Sequence, residues 1–140
     1  MPTIKTKVEI TGDIARGTIN PKLRRIFAGA VQELIDIADG QLAARLRPRP
    51  AGVYLAKAPS EGGSTGNYRR NISTRVTNLN GLVTDGGVIY GPWLEGTSSR
   101  NQTTRFKGYS SFRIVAQNVE KRSASVLKKY ASHFAREQNR

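Results

Sequence analysis

The sequence predicts an α+β fold, in which a small antiparallel sheet packs against a long N-terminal helix and a basic amphipathic C-terminal helix. An apolar stripe with three- and four-residue steps follows residue 20, and a second stripe occupies residues 112–134. Between them, short β-rich segments flank an Asn-Gly pair at residues 80–81. These spacings separate helices, with 3.6 residues per turn, from strands, with a period of two. One helix covers one face of such a sheet, and the second covers what remains.

The first half of the chain supplies a strand and the longest helix. Residues 4–11 alternate apolar and polar side chains, which is typical of a half-buried strand. Asn20 and Pro21 then favour a helix start, with asparagine as N-cap and proline at the first helical position. The stripe that follows predicts a helix of about 26 residues. Gly40 interrupts it, and we expect a bend or a close contact there.

A loop without periodicity follows this helix. Pro48 and Pro50 end the helix, and residues 60–66 are rich in serine and glycine. The sequence lacks the Gly-Lys-Ser/Thr ending of a phosphate-binding loop. We therefore interpret residues 47–70 as a flexible loop or arm, which we hypothesise becomes ordered against a neighbouring subunit. Limited proteolysis before and after assembly tests this, because an arm equally resistant in the free monomer would contradict it.

The second half of the chain predicts a hairpin and the basic helix. Residues 71–79 are β-rich, Asn80-Gly81 is a strong two-residue turn signal, and residues 82–84 return along the hairpin. Asp85-Gly86-Gly87 indicates a bulge or second turn, after which residues 88–90 resume the strand. Ser110 or Ser111 can cap the final helix. Basic side chains lie mostly away from its apolar stripe.

Composition and charge restrict the functional classes. At 140 residues the chain has the size of one ordinary domain, spanning residues 1–140. It has no cysteine and one histidine, it lacks an apolar run long enough to cross a bilayer, and it lacks a signal-peptide core, so we expect no membrane partner and synthesis in a cytoplasm. The formal net charge is +13, and from residue 100 onward ten basic residues face two acids, a local charge of +8. This favours a polyanionic neighbour, with a solvated helix face as the alternative.

No constellation of side chains in the sequence is typical of an enzyme, and we expect no activity, cofactor or metal. Asp36 and Asp39 are three residues apart on the first helix, but no histidine or third ligand accompanies them. Asp85 most simply shapes its turn. His133, the only histidine, lies in a basic helix and is expected to be a packed or half-exposed helix residue. An enzyme acting on nucleic acid would need an acid-rich metal site.

The segment from Tyr90 to Thr97 contains the only tryptophan. Pro92 can begin a short helical turn, and Gly96 can end it in a left-handed conformation. Trp93 and Leu94 are adjacent, so they point about 100° apart and can contact two surfaces. A structural plug at one end of the sheet is one interpretation. Glu95 is a lone acid here, and either a local partner or an ion pair between subunits is open.

This segment resembles the Tyr-Ala-Pro…Glu…Gly-Thr signature of the tail-completion, or neck, proteins of tailed phages. In that family the signature follows a β-hairpin and precedes a basic segment with aromatics and a C-terminal helix, as do residues 105–109 and the last helix here. The resemblance covers residue 20 to the C-terminus, and residues 47–66 match poorly. Gly91 and Trp93 depart from the pattern, and the matching positions are Tyr90, Pro92, Leu94, Glu95, Gly96 and Thr97.

The resemblance implies a structural virion protein of the siphophage neck. Such proteins form rings, commonly of six subunits, that join head to tail or complete the tail around the DNA exit channel. The implied partners are copies of this chain, an adaptor or connector, a tail terminator and a tail tube, with genomic DNA passing non-specifically through the lumen. The virion would assemble in the bacterial cytoplasm. The implied subunit interface comprises Tyr90, Pro92, Trp93, Leu94, Glu95, Gly96 and Thr97.

The basic surface has two possible orientations. It could face DNA in the lumen or an acidic ring above or below, and it comprises Arg105, Lys107, Arg113, Lys121, Arg122, Lys128 and Lys129. A small basic nucleic-acid-binding protein is the alternative function, since residues 105–109 alternate bases with aromatics. Two aromatics make a small stacking platform. The alternative predicts tight DNA binding by the isolated chain, with affinity falling steeply with salt.

Overall fold

The computed structural model describes residues 2–9, 21–46 and 67–140. The predicted α+β architecture is confirmed: a three-stranded antiparallel sheet packs against a long N-terminal helix and a long C-terminal helix. The predicted arm lies outside the described residues except for 67–70, and so do residues 10 and 11 of the predicted first strand. The elements in chain order are β1 (Thr3–Lys7), α1 (Pro21–Arg45), α2 (Asn67–Arg70), β2 (Ser73–Thr77), β3 (Asn80–Thr84), α3 (Gly91–Glu95), α4 (Arg100–Thr103) and α5 (Ser111–Gln138).

The sheet has the order β1-β3-β2, with β3 in the centre. Thr6 and Val76 pair with Gly81 from either side, and Ile4 pairs with Val83. Because side chains alternate along a strand, Ile4 and Val83 lie on the face that packs on the helices. The opposite face carries Lys5, Leu82 and Arg75 side by side, with polar side chains around them.

Two predictions about the hairpin are wrong. The turn between β2 and β3 lies at residues 78–79, where Asn78 has a φ of 52°, and Asn80-Gly81 belongs to β3. Asparagine tolerates this left-handed conformation, and Gly81 is needed inside the strand, where β3 passes close to α1. Residues 88–90 form a turn instead of resuming the strand, and the Gly91 N–H donates to the Val88 carbonyl at 2.9 Å.

The two long helices pack as an antiparallel pair. Asn118 Nδ2 donates to Gln41 Oε1 at 3.0 Å near one end, and Lys22 Nζ pairs with Glu137 at 2.9 Å near the other. α1 spans Pro21–Arg45, and its 25 residues cover about 37 Å. The predicted N-cap, Asn20, lies outside the described residues. The close contact expected at Gly40 is wrong for the described residues, since this residue is exposed and an added Cβ would meet nothing within 4 Å, and the bend stays a prediction.

The core lies between the sheet and the helix pair. Val83 comes from β3, and the other fully buried aliphatic side chains come from the helices, namely Val31, Ile35, Leu42 and Val115. Burying each such side chain contributes about 1.5–3 kcal/mol. Phe112 and Val115, near the start of α5, belong to this core, so the core fixes the position of that helix end. α3 contacts α5 at the same end.

Candidate functional site: the Trp93 turn and the basic helix

The predicted turn at Pro92 is confirmed. α3 has proline in its first turn, and Gly96 ends it with a φ of 101°, in the left-handed region. The N–H groups of Gly96 and Thr97 both donate to the Pro92 carbonyl at 2.9 Å. A side chain on Gly96 would meet the backbone of residues 107 and 108, so two glycines, Gly96 and Gly108, let these segments touch.

Glu95 connects this turn to α5. Its carboxylate oxygens accept hydrogen bonds from the N–H groups of Phe112 and Arg113, both at 3.0 Å, and the residue is only 8% exposed. These donors belong to the first turn of α5, which has no intrahelical acceptors for them and favours negative charge. The sequence left open whether Glu95 has a partner in its own chain or in another subunit. In the structure its partner is the N-terminus of α5 in the same chain. The predicted cap at Ser110 is wrong, because its side chain makes no capping hydrogen bond.

Trp93 packs inside a small aromatic cluster. Its ring centroid lies 4.6 Å from that of Phe106, which lies 5.0 Å from that of Tyr109. The Arg100 guanidinium lies 5.8 Å from the indole centroid. Leu94 contacts the main core instead. Trp93 and Leu94 thus contact two different surfaces, as the sequence predicted.

Asn101 is a structural residue that sequence reasoning missed. Its side-chain amide donates to the carbonyls of Trp93 and Phe106, both at 3.0 Å, and its oxygen accepts from the Ser98 N–H at 3.0 Å. The residue is 4% exposed. A lone asparagine in a polar stretch has no sequence signal for this role, because its partners become neighbours only in the folded chain.

The turn before α3 presents an apolar tip. Ile89 is 97% exposed and Tyr90 is 41% exposed. The tip is nevertheless well anchored: Asn67 Nδ2 donates to the Tyr90 hydroxyl at 2.6 Å, and the Gly87 N–H donates to Asp85 Oδ1 at 2.9 Å. We call residues 88–90 the apolar tip.

Beneath the apolar tip lies a buried polar pair. The Tyr68 hydroxyl donates to Asp85 Oδ2 at 3.4 Å, and Asp85 is fully buried. Burial raises the pKa of Tyr68 above its ordinary range, and the Asp85 carboxylate adds to this shift. Tyr68 therefore stays protonated and donates to the carboxylate. This hydrogen bond joins α2, which contains Tyr68, to the residue Asp85 that precedes the apolar tip.

The structure divides the predicted interface residues into two groups. Tyr90 and Thr97 are exposed, whereas Glu95 is buried and the others are half-buried. Trp93, Leu94 and Glu95 already have contacts within their own chain. A contact with another subunit in this region would therefore use Tyr90 and Thr97 together with Ile89, which the sequence pattern did not single out.

The predicted basic side chains are all exposed, but two of them have partners. Lys107 Nζ donates to the carbonyls of Asn101 and Gln102 at 2.7 and 3.2 Å, which places its charge at the end of α4. Lys129 Nζ pairs with Glu33 at 2.8 Å. The others form no ion pair with any residue in the described part of the chain, and they are Arg105, Arg113, Lys121, Arg122 and Lys128.

Two further observations concern ligands and membranes. Across residues 2–9, 21–46 and 67–140, no three histidine, cysteine, aspartate or glutamate residues are grouped so that they could hold a metal ion. No helix within the same residues is both long and apolar enough to span a bilayer.

Comparison of the chain with protein-family models, with curated proteins and with solved structures finds no match.

Proposed function

We propose that this chain is a structural subunit of a ring in the neck of a tailed phage, where it joins head to tail or completes the tail around the DNA exit channel. The observation that carries the proposal is the bond between Glu95 and the start of α5. Glu95, Gly96 and the preceding proline are the positions that resemble the neck signature. All three residues stabilise α3, the turn between the β2–β3 hairpin and the basic helix α5.

The apolar tip supplies a contact point for a second copy. A large, exposed apolar side chain on a well-held turn loses little conformational entropy when it becomes buried. Ile89 meets this description, and it adjoins Tyr90, of a residue type that is enriched in interfaces. In a ring, each subunit offers one such surface and receives its neighbour's at another, so the same contact repeats around the axis.

Charge affects when such a ring forms. Every copy carries a net charge of +13, so neighbouring copies repel one another at low ionic strength. Salt screens this repulsion over a Debye length of about 8 Å at physiological ionic strength. The proposal therefore predicts that the free protein assembles more readily as salt is raised, which is the opposite of binding to a polyanion.

The test is the oligomeric state of the purified chain. Light scattering after size exclusion, across protein concentration and salt, should show a closed oligomer, and negative-stain images should show rings. Ile89→Asp should shift the assembly midpoint at least about tenfold toward monomer. Asn139→Asp is the matched control, since it adds the same charge at the exposed far end of α5. A chain that remains monomeric throughout, or an Ile89→Asp variant that assembles like the control, would contradict the proposal.

A second candidate is a small basic nucleic-acid-binding protein, favoured by the unpaired cations on α5. It predicts that the monomer alone binds DNA tightly and that binding weakens steeply with salt. Ile89→Asp should leave this binding nearly unchanged, because the single negative charge that it adds lies on the apolar tip and not on α5. Assembly and binding thus respond in opposite directions to salt and differ in their dependence on Ile89.

A further inference from the structure

We infer that the outer face of α5 binds the phosphate backbone of double-stranded DNA, without reading its sequence. We define the outer face by its exposed bases Arg113, Lys121, Arg122, Lys128 and Arg136. The inference deepens the proposed function by choosing DNA over an acidic ring as the partner of the basic surface. The inference rests on the proposed function only in taking the phage genome as the source of the DNA.

The charge on this face is available for a partner. None of its five bases forms an ion pair within residues 2–9, 21–46 and 67–140. α5 carries only two acids, and one of them, Glu137, is turned toward Lys22 and His133 at 2.9 and 3.3 Å. Glu120 is the only other acid on the helix. A helix surface that carries five exposed cations and one acid is complementary to a polyanion.

The length of the face matches a duplex. From Arg113 to Arg136 the helix rises about 35 Å, which is close to one turn of B-DNA. A straight helix of this length can place several cations along one phosphate strand. Arg24 and Arg25, exposed in the first turn of α1, add positive charge where the Lys22–Glu137 pair brings that turn beside the end of α5.

The side chains between the bases disfavour a protein partner. Five of the exposed ones are small, namely Ala124, Ser125, Ala131, Ser132 and Ala135, and Gln117, also exposed, is polar. Protein interfaces depend on a desolvated centre of aromatic or large apolar anchors. The large exposed apolar side chains of the described chain are Ile89 and Tyr90, both on the apolar tip and not on α5. Small residues instead let the helix backbone approach phosphates closely.

The same composition disfavours single strands and specific sites. Binding of single-stranded DNA relies on aromatic rings on which bases stack, and the exposed side chains of this face include none. Contacts to phosphates alone position a protein on a duplex but carry no sequence information. The geometry thus points to duplex DNA of any sequence.

The experiment measures binding of a labelled duplex of about 20 base pairs by fluorescence anisotropy across a salt series, using the full-length chain. With about four phosphate contacts, log K should fall with log salt at a slope near −4. Lys121→Glu combined with Lys128→Glu should weaken binding at least about tenfold and reduce the slope by about two. The matched control is Lys5→Glu with Arg75→Glu, which makes the same charge change on the open face of the sheet.

Three competitors complete the design. A single strand of the same length should bind more weakly than the duplex, and a duplex of unrelated sequence should bind equally. Poly-glutamate, which stands for an acidic protein face, should compete poorly. The inference is overturned by no binding, by equal losses in the control variant, by preference for the single strand, or by equal competition from poly-glutamate.

Failure of this inference can be separated from failure of the ring proposal. The same titration is repeated with Ile89→Asp, which carries the outer face unchanged. A protein that forms rings but binds no duplex refutes the DNA inference alone. A monomer that binds duplex with the expected slope refutes the ring and leaves the inference standing.

Discussion

Gly81 lies where the central strand crosses α1, and the absence of a side chain there sets how closely the two layers pack. An added Cβ would lie 2.6 Å from Cγ1 of Ile35 and would also meet the hydroxyl of Thr6 on the neighbouring strand. Ile35 is fully buried, so it has no free space into which to move. Gly40, in the same helix as Ile35, has no such neighbour.

We therefore expect opposite effects from the same substitution at these two glycines. Gly40→Ala should raise the free energy of unfolding by about 0.5–1 kcal/mol, because alanine restricts the unfolded chain and suits a helix interior. Gly81→Ala should lower it by about 1–3 kcal/mol through overpacking. Urea denaturation followed by circular dichroism measures both. A destabilising Gly40→Ala would show that this face of α1 has a contact that the described residues do not supply.

At the scale of elements, α5 is capped by another element and not by its own flanking residues. The Glu95 carboxylate, at the end of α3, satisfies two donors that begin α5. Backbone bonds reinforce the junction, since Tyr109 N–H donates to the Leu94 carbonyl at 2.7 Å and Ser110 N–H to the Glu95 carbonyl at 3.2 Å. The turn and the helix therefore move as one unit.

Removing this carboxylate should loosen the start of α5. We expect Glu95→Ala to cost about 2–4 kcal/mol, because two buried N–H groups lose charged acceptors, and Glu95→Gln to cost about 1–2 kcal/mol, since one amide oxygen remains. Hydrogen exchange at the Phe112 and Arg113 amides should accelerate in both variants. Glu120→Ala, at an exposed position of the same helix, should change stability by no more than about 0.5 kcal/mol. Equal effects of Glu95→Ala and Glu120→Ala would show that the cap is dispensable.

Elements with a local signal could be predicted from the sequence, and their long-range partners could not. Pro21 is the first residue of α1 and Pro92 the second of α3, and both give a local signal because proline restricts its own backbone. The bond from Glu95 to Phe112 joins residues 17 positions apart, and no spacing rule connects them. The turn predicted at Asn80-Gly81 is wrong for a related reason. Gly81 lies in β3, where its close approach to Ile35 of α1 requires a residue without a side chain. Two four-residue helices, α2 and α4, are too short to show a period.

At the scale of the whole molecule, polar pairs hold the two long helices together outside the core. Lys129 pairs with Glu33 at 2.8 Å, about three helical turns along α5 from the Asn118–Gln41 bond at 3.0 Å. The amphipathic stripes predict that α1 and α5 pack, but not their register. The register depends on shape as well, because an added Cβ at Gly29 would lie 2.8 Å from the ring of Tyr130.

The pair between Glu33 and Lys129 makes stability depend on pH at both ends of the range. The hydrogen bond from Lys129 lowers the pKa of Glu33, and the hydrogen bond to Glu33 raises the pKa of Lys129. A lowered carboxyl pKa stabilises the fold above the ordinary value of 4.5, and this stabilisation is lost as pH falls through the folded-state pKa. A raised lysine pKa stabilises it below the ordinary value of 10.5, and this part is lost as pH rises through the folded-state pKa.

Glu33→Gln should therefore lower Tm at neutral pH by no more than about 5 °C, since the pair is largely exposed, and the difference from the unmodified chain should vanish in acid. The measurement is Tm by circular dichroism across pH at low and high salt, with Glu120→Gln as the control for a loss of negative charge without a loss of this pair. Because the net charge is +13, both substitutions add to self-repulsion at neutral pH, and the part of the Tm loss that Glu33→Gln shows beyond Glu120→Gln belongs to the pair. A loss that Glu120→Gln reproduces would show that overall charge and not this pair is responsible, and a loss that stays constant into acid would show that it does not come from the charge of Glu33.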